Sequence, residues 1–470
     1  MGLSFQQPLL LRVPLSKLIY YKMKIYSIDH IVKACICLLL FGACAIGLNA
    51  QEVDSTTVKL TLEGAIRYAK ASNKLIGVMK TEEKAAQMDL EDGRMGALPR
   101  IAGNASYQRF TKVTLYKDVL GESRTITKPP NANAGGLNVE AGFNLYAGGR
   151  HRALITDLTH KEELAAINTK EQEGNIGLQV ALQYLDMVRI YVQARLIKDQ
   201  VARAETRSKN ITAYYTNGKV TKSDLLRADV VLSNTLLSEA ANRNDYKISN
   251  QRLNTLLNLD ECTKIIPLDT ALLELPDSLA FESMTKDVSG AFAIIKAGKN
   301  IELQRNRIEM VKSANRPTVT LFGGYGFNYP NNLVFPPQPQ TVAVGTAGVR
   351  VTYDISGLYQ NKHKLKAACI RESELTQQKD WISDNVLQEV KALAIKYDEA
   401  IKRMQVIKKN IEQTEANYNI QNMKYSNQLS LLTDLLDADN LYQESRFNYI
   451  QANIASLSIY YRLLFITGKL

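Results

Sequence analysis

The stretch Tyr215-Thr-Asn-Gly-Lys-Val-Thr-Lys-Ser-Asp-Leu-Leu-Arg-Ala-Asp229 recurs as Tyr425-Ser-Asn-Gln-Leu-Ser-Leu-Leu-Thr-Asp-Leu-Leu-Asp-Ala-Asp439, with seven of the fifteen positions identical. Internal duplication of this kind constrains architecture before any single element does. Upstream of each copy lies a long helical pattern, and upstream of that a pair of strand-like segments. The order short helix, strand, strand, long helix, short helix therefore occurs twice. It divides the chain into a first repeat over residues 51–258, a linker over 259–283 and a second repeat over 284–470.

The helical periodicity is clearest in the second repeat. From Val386, the residues Val390, Leu393, Tyr397, Ile401, Met404, Ile407 and Ile411 follow at steps of three and four, which is one apolar seam along an α-helix. His151 to Tyr215 and Gly357 to Tyr425 are both helical with few breakers, and each would be ~100 Å long at 1.5 Å per residue. Thr61 to Met95 and Ser223 to Leu257 read as helices of ~50 Å by the same rise. Two short helices stacked end to end match one long one, so the pattern predicts a wall of equal-height helical staves.

The strands alternate with period two. Leu137, Val139, Ala141, Phe143 and Leu145 take one face, and Asn138, Glu140, Gly142, Asn144 and Tyr146 take the other. Thr318 to Tyr329 behaves likewise, with its aromatics gathered at one end as in an aromatic girdle. Val349, Val351, Tyr353 and Ile355 oppose Arg350, Thr352 and Asp354, and the strand after Pro99 alternates more weakly. One reading is a meander with one face on a core. The other is a membrane barrel, since each strand is close to the ~10 residues that a tilted spanning strand needs. The polar, Pro-rich connections Thr111 to Gly135 and Asn328 to Thr341, longer than tight hairpins require, favour the barrel. Four strands cannot close one alone, because an open edge in lipid leaves backbone groups unpaired at several kcal/mol each. The strands therefore require association with other copies.

At the N-terminus, Lys22, Lys24 and Lys33 precede the apolar run Ala34 to Leu48, which ends at Leu48-Asn49-Ala50. This reads as a secretory signal over residues 1–50, of conventional length if translation starts at Met23. Phe41-Gly42-Ala43-Cys44 reads alternatively as a lipidation site at Cys44, with Phe41 where Leu is usual. Three of the five cysteines fall in the signal, leaving Cys262 and Cys369 far apart, with no disulfide framework or metal cluster. The formal charge is +11, but basic residues are interspersed with acidic ones, as in Lys396-Tyr397-Asp398-Glu399. That describes solvated helix faces and not a nucleic-acid surface. His30, His151, His160 and His363 offer no metal or catalytic spacing. Gly323-Gly324-Tyr325-Gly326 lacks the Lys-Ser/Thr of a phosphate-binding loop. Trp381 reads as a packing residue of the long helix. No enzyme and no cofactor is expected.

These segments together resemble the TolC-like outer membrane efflux family from Leu60 to Leu470. The family's second-repeat signature, tyrosine, a short turn, then Asp-hydrophobic-Leu-Asp-Ala, is similar to Tyr425 through Asp434, Leu435, Leu436, Asp437 and Ala438. It continues into Leu441-Tyr442 and Arg446-Phe447-Asn448-Tyr449. In the first repeat the glycine turn resembles Asn217-Gly218 and the aspartate Asp224. The resemblance implies an α+β fold in which a homotrimer builds a twelve-stranded transmembrane β-barrel, four strands per chain, on a long α-helical barrel that crosses the periplasm. The 259–283 linker would then be equatorial. It further implies an outer membrane exit channel of a tripartite efflux or type I secretion system, partnered by a periplasmic adaptor and an inner-membrane pump. Asp434 and Asp437 would ring the pore, with Asp224 and Tyr425 in the bonding that holds the tip shut. Asn217, Gly218, Asn427 and Gln428 would form the adaptor-docking tip. Two positions depart from the family: Ser430 stands where an arginine is usual, and Gln428 replaces the second-repeat glycine, so that turn is expected to differ in shape. The aspartates have a second reading, as caps of helix N-termini. The rival for the whole chain is a periplasmic adaptor-like coiled-coil protein, which would lack the four amphipathic strands.

Overall fold

The computed structural model describes residues 57–110, 113–116, 121–126, 133–269, 285–334 and 338–470. The signal segment, Cys44 and part of the inter-repeat linker lie outside these residues. The elements in order are β1 (Thr57–Leu60), α1 (Leu62–Ser72), α2 (Lys74–Met95), β2 (Arg100–Arg109), β3 (Val113–Tyr116), β4 (Ser123–Ile126), β5 (Asn133–Ala147), α3 (Arg150–Thr216) and α4 (Lys222–Leu257). They continue as β6 (Lys264–Pro267), α5 (Phe292–Ser313), β7 (Thr318–Tyr329), β8 (Val342–Thr352), α6 (Gly357–Ser426) and α7 (Leu432–Ile466).

The two long helices have 67 and 70 residues, each about 100 Å long. Along α6 the apolar seam is the buried face: Val386, Val390, Leu393, Tyr397 and Ile407 are all at most 9% exposed. Trp381 lies off that seam and is 64% exposed, so it is not a packing residue within the chain. The predicted single helix Thr61 to Met95 is two. Asn73 interrupts it, its Oδ1 accepting from the backbone of Leu75 at 2.9 Å and so capping α2. The Asn73 amide and the Ser72 hydroxyl reach Leu256 O and Leu257 O at 2.8 and 2.7 Å, which sets α1–α2 end to end on α4. The end of α7 likewise meets the residues before α5, where Gly290 lies against the Thr467 carbonyl. Stacked short helices therefore match the long ones. Toward the sheet the helices pack in the order α2, α3, α5, α6, and toward the other end in the order α4, α3, α7, α6.

At the level where the short helices meet, β1 pairs in parallel with β6, a pairing that period and composition alone did not predict. Tyr184 of α3 is fully buried beneath it and donates to Leu60 O at 2.9 Å, among Val180, Leu185, Leu253, Leu257 and Ile265. Burial first, and the neighbouring Asp269 carboxylate second, push the Tyr184 phenol well above its ordinary pKa. Asp269 also accepts from the Leu62 amide at 2.7 Å, which fixes the start of α1.

The four predicted strands form one antiparallel sheet in the order β2-β5-β7-β8. Directly opposed residues share a face, so the registers decide its chemistry. On one face Ile101 opposes Ala141, Ala105 opposes Leu137, Leu137 opposes Phe327, Val139 opposes Tyr325, Phe143 opposes Leu321, and Leu321 opposes Val349. That face is apolar across all four strands, and Leu137, Val139, Leu321, Tyr325, Phe327 and Val349 are each at least 43% exposed. The opposite face carries Arg100, Asn104, Asn138, Glu140, Thr320, Thr346 and Arg350. Gly326 of the Gly-Gly-Tyr-Gly run is needed there, because the Asn138 side chain crosses it and a Cβ would lie 1.9 Å from Asn138 Oδ1. A β-bulge changes one assignment: the register shifts between Asn144 and Tyr146, so Tyr146 opposes Val319 and joins the apolar face instead of the polar one. Exposed aromatics then flank the apolar band, with Tyr107, Tyr325 and Phe327 toward the loop end and Tyr146 and Tyr353 toward the helices. The first long connection holds the small hairpin β3–β4.

At the far end each helical hairpin closes on the same turn. Lys219 N donates to Tyr214 O and Gly218 N to Tyr215 O, both at 2.9 Å, and Leu429 N and Gln428 N repeat this to Lys424 O and Tyr425 O at 2.8 and 2.9 Å. Asn217 and Asn427 each turn their side-chain amide back to the carbonyl four residues earlier, Ala213 O at 2.8 Å and Met423 O at 2.9 Å. Gly218 has φ 70° and Gln428 φ 60°, so both are left-handed. The expectation that Gln428 changes the turn is corrected: glutamine adopts the glycine conformation, and the hydrogen bonds on either side hold it there.

Two outcomes follow from these geometries. Val139→Lys, at mid-strand on the apolar face, should cost about 2–4 kcal/mol of insertion free energy and lower the folded fraction in lipid vesicles, whereas Asn138→Lys on the polar face should insert normally. Gly218→Gln should destabilise the first hairpin by about 1 kcal/mol and Gln428→Gly should leave the second equal or more stable, read by hydrogen exchange at the turn amides.

Candidate functional site

The far end of the helical region brings the repeat motifs together. Leu432, Leu436, Ala228 and Ile211 form a small buried cluster, with Val220, Leu225, Val231 and Tyr425 packed on it. These residues come from α3, α4, α6, α7 and the first turn, so one apolar contact joins both hairpins. Leu225 and Leu436, one from the Leu-Leu pair of each motif, are part of it.

Asp224 and Asp434 occupy the third position of α4 and α7. Asp224 Oδ2 accepts from the Thr221 amide at 3.1 Å and from the Thr221 hydroxyl at 2.7 Å, while Thr221 Oγ1 accepts from the Asp224 amide at 3.2 Å. This is a full capping box, worth about 1 kcal/mol to the helix end. Asp434 Oδ2 accepts from the Leu431 amide at 3.2 Å. Leucine has no side-chain acceptor to reciprocate, so α7 carries half the box. Capping is thus one role of both aspartates, and it sets where each carboxylate points.

Asp434 and Asp437 are both exposed and lie three residues apart, on one side of α7. Their neighbours Leu435, Leu436, Ala438 and Asp439 are buried. The pair therefore faces away from the chain's own packing. Tyr425 is half-buried, and its hydroxyl has no hydrogen bond among the described residues. Burial, then the Asp224 charge, push its phenol above the ordinary value, so the structure brings Tyr425 near Asp224 without bonding them. A groove of about 460 Å³ opens beside Tyr425, lined by Arg203, Arg207, Asn210, Tyr418 and Asn422.

Two groups of charged residues were not found from sequence. Arg207 of α3 donates to Asp439 of α7 at 2.8 Å, with both side chains at most 9% exposed. Asp439 is the last residue of the repeated motif, but nothing in its spacing identifies an arginine so far away in the chain. Nearer the sheet, His160, Glu163 and Glu302 approach one another. Lys299 sits among them, 2.9 Å from Glu163 and 2.6 Å from Glu302. Hydrogen bonds from Lys299 and then His160 hold the Glu163 carboxyl below its usual range. The ammonium takes the position a metal would need, so this cluster ties α3 to α5 as an ion network. Cys262 and Cys369 are exposed thiols.

Residues 65–259 match the family model of the outer membrane efflux protein. No curated protein matches the chain in sequence. Among solved structures, the outer membrane protein VceC of Vibrio cholerae is similar at 15% identity and a TM-score of 0.69, covering 87% of this chain and 96% of its own. The CmeC outer membrane channel of Campylobacter jejuni is similar at 14% identity and a TM-score of 0.70, covering 87% and 85%. The open state of the MtrE outer membrane channel of Neisseria gonorrhoeae is similar at 16% identity and a TM-score of 0.65, covering 87% and 88%. The first repeat thus matches the outer membrane efflux protein in sequence, and the two repeats together share the fold of the solved outer membrane channels.

Proposed function

We propose that the chain assembles as a homotrimer into the outer membrane exit duct of a tripartite efflux or type I secretion system, a passive conduit for drugs or other exported compounds. The observation that carries this reading is the sheet. Its exposed apolar face is one side of a lipid-facing band, its polar face is a lumen wall, and its two edge strands β2 and β8 require partners. Three copies supply twelve strands, β8 of one pairing with β2 of the next. The same rotation would bring α4 of one copy against α6 of the next. Both helices carry exposed apolar side chains, among them Leu226, Val230 and Leu237 on α4 and Ile395 and Val406 on α6.

The two repeats, residues 51–258 and 284–470, would each contribute one strand pair and one stave pair, with the 259–283 linker at the equator. The helical cylinder would cross the periplasm, and its tip would be both constriction and adaptor-docking site. Asn217, Gly218, Asn427 and Gln428 shape the outermost turns and so would meet a periplasmic adaptor first. The adaptor in turn would couple the duct to an inner-membrane pump, which supplies the energy. Asp434 and Asp437, exposed on one side of α7, would bring six carboxylates toward the threefold axis. Asp224 and Tyr425 would lie behind them.

Single-channel conductance in a planar bilayer tests this reading. Wild-type protein should give small, cation-preferring currents, and the Asp434→Ala, Asp437→Ala double variant should give larger currents with weaker cation preference. Well-folded protein that neither inserts nor conducts would return the reading to a soluble adaptor-like scaffold.

A further inference from the structure

We propose that Arg207 and Asp439 form the latch that holds each protomer's tip in its closed packing, with Arg203 as its second cation. The inference rests on the tip being the constriction. It assigns the closing interaction to the last aspartate of the repeat and an arginine that no motif marks, in a chain that carries Ser430 and not a cation at the second turn.

The geometry is that of two hairpins joined by one seam. Residues 217–221 tie α3 to α4 and residues 427–431 tie α6 to α7, so each hairpin is closed covalently. A tip bounded by these hairpins widens only by moving one against the other, and within a protomer the seam between them is α3 on α7. Near the tip that seam holds two kinds of contact. One is the small cluster of Ile211, Ala228, Leu432 and Leu436, whose attraction is non-directional and survives sliding. The other is the Arg207–Asp439 pair at 2.8 Å, which survives in one arrangement only. A buried ion pair broken without replacement leaves both charges desolvated, so it favours two discrete states over a continuum.

Arg203 reinforces the same junction. Its Nε lies 3.5 Å from the other Asp439 oxygen, and its guanidinium sits over the Tyr418 ring of α6 at 6.0 Å. Tyr418 stacks on Tyr442 of α7 at 5.9 Å, and Arg446 covers Tyr442 at 5.4 Å. One arginine of the first hairpin thus touches both helices of the second. The repeat exposes the specialisation. Asp229, at the position equivalent to Asp439, accepts from Ser208 at 2.9 Å on the exposed surface, within a single hairpin. Adjacent residues of α3 therefore hold the two equivalent aspartates, but only the Asp439 bond crosses between hairpins and is buried.

The test is bilayer conductance of the full-length trimer, with assembly checked by size-exclusion chromatography. Asp439→Asn and Arg207→Gln should each raise mean conductance about fivefold or more, as a two-state gate loses the bond that weights its closed form. The exchanged variant Arg207→Asp, Asp439→Arg should return conductance toward wild type. Should a single variant fail to assemble, the combination of Arg203→Gln and Arg207→Met with Asp439→Leu removes all three charges and leaves no unpaired buried ion at the junction, and it should also conduct more. Assembled variants with wild-type conductance would overturn the latch. If the Asp434→Ala, Asp437→Ala protein still changes selectivity in the same assay, the latch alone fails. If that protein is also unchanged, the constriction is not at the tip and both readings fall.

Discussion

An unpaired backbone cannot sit in hydrocarbon, and this constraint organises the rest of the molecule. The sheet β2-β5-β7-β8 has a face that is apolar from Ile101 to Val349 and two edges with free N–H and C=O groups. In water the face is a liability, and in lipid the edges are, at several kcal/mol for each unpaired group. Only closure with further copies removes both problems. Closure in turn places the long helices side by side, because α3 follows β5 and α6 follows β8 after only a few residues. In the proposed trimer the helical cylinder would thus be a geometric consequence of how the strands close.

Helices of this length need contact along their whole height, since helices in proteins gain most of their stability from an apolar face packed on a neighbour. A duplicated chain meets that need with stacked short helices. Their junction is a weak point, where helix ends leave carbonyls and amides without intrahelical partners. Ser72, Asn73, Tyr184 and Asp269 all spend their polar groups there, on Leu257 O, Leu256 O, Leu60 O and Leu62 N. The β1–β6 pair covers the same level. At the junction of α1, α2 and α4, four of the loose backbone groups are thus met by named side chains.

Much of this was legible in the sequence. The duplicated motif, the three-and-four seam of α6 and the period-two strands each state a local rule that the fold obeys over many residues, so errors average out. What escaped was set by single positions or by distant pairs. Asn73 breaks a helix because its side chain caps the next one, and an asparagine within an otherwise helical run gives only a weak signal. The bulge at Leu145 moves Tyr146 across the sheet, and no composition rule marks it. Gln428 adopts φ 60° because Leu429 N and Asn427 Nδ2 close the turn around it, which outweighs the preference for glycine. β1 and β6 are four residues each, too short for a period to register. Tyr425, Asp434 and Asp437 are singled out by the resemblance and lie within the repeated stretch, whereas Arg207 belongs to no motif and meets Asp439 only in three dimensions.

In the proposed duct the duplication makes the tip the natural place for a moving part. Near-equivalent hairpins with equivalent turns can exchange neighbours at little cost in apolar contact, because Leu225 and Leu435 are the same residue of the repeat in different surroundings. Divergence between the copies then decides which arrangement is preferred. Where the first copy has Arg227, the second has Asp437, which turns one helix surface acidic. Where Asp229 meets a serine at the surface, Asp439 meets an arginine in the interior. A symmetric pair of hairpins would have no reason to rest in one state. The charges that break the symmetry lie within about three turns of the tip, while nearer the sheet the α3–α5 seam is tied by Lys299 with Glu163 and Glu302.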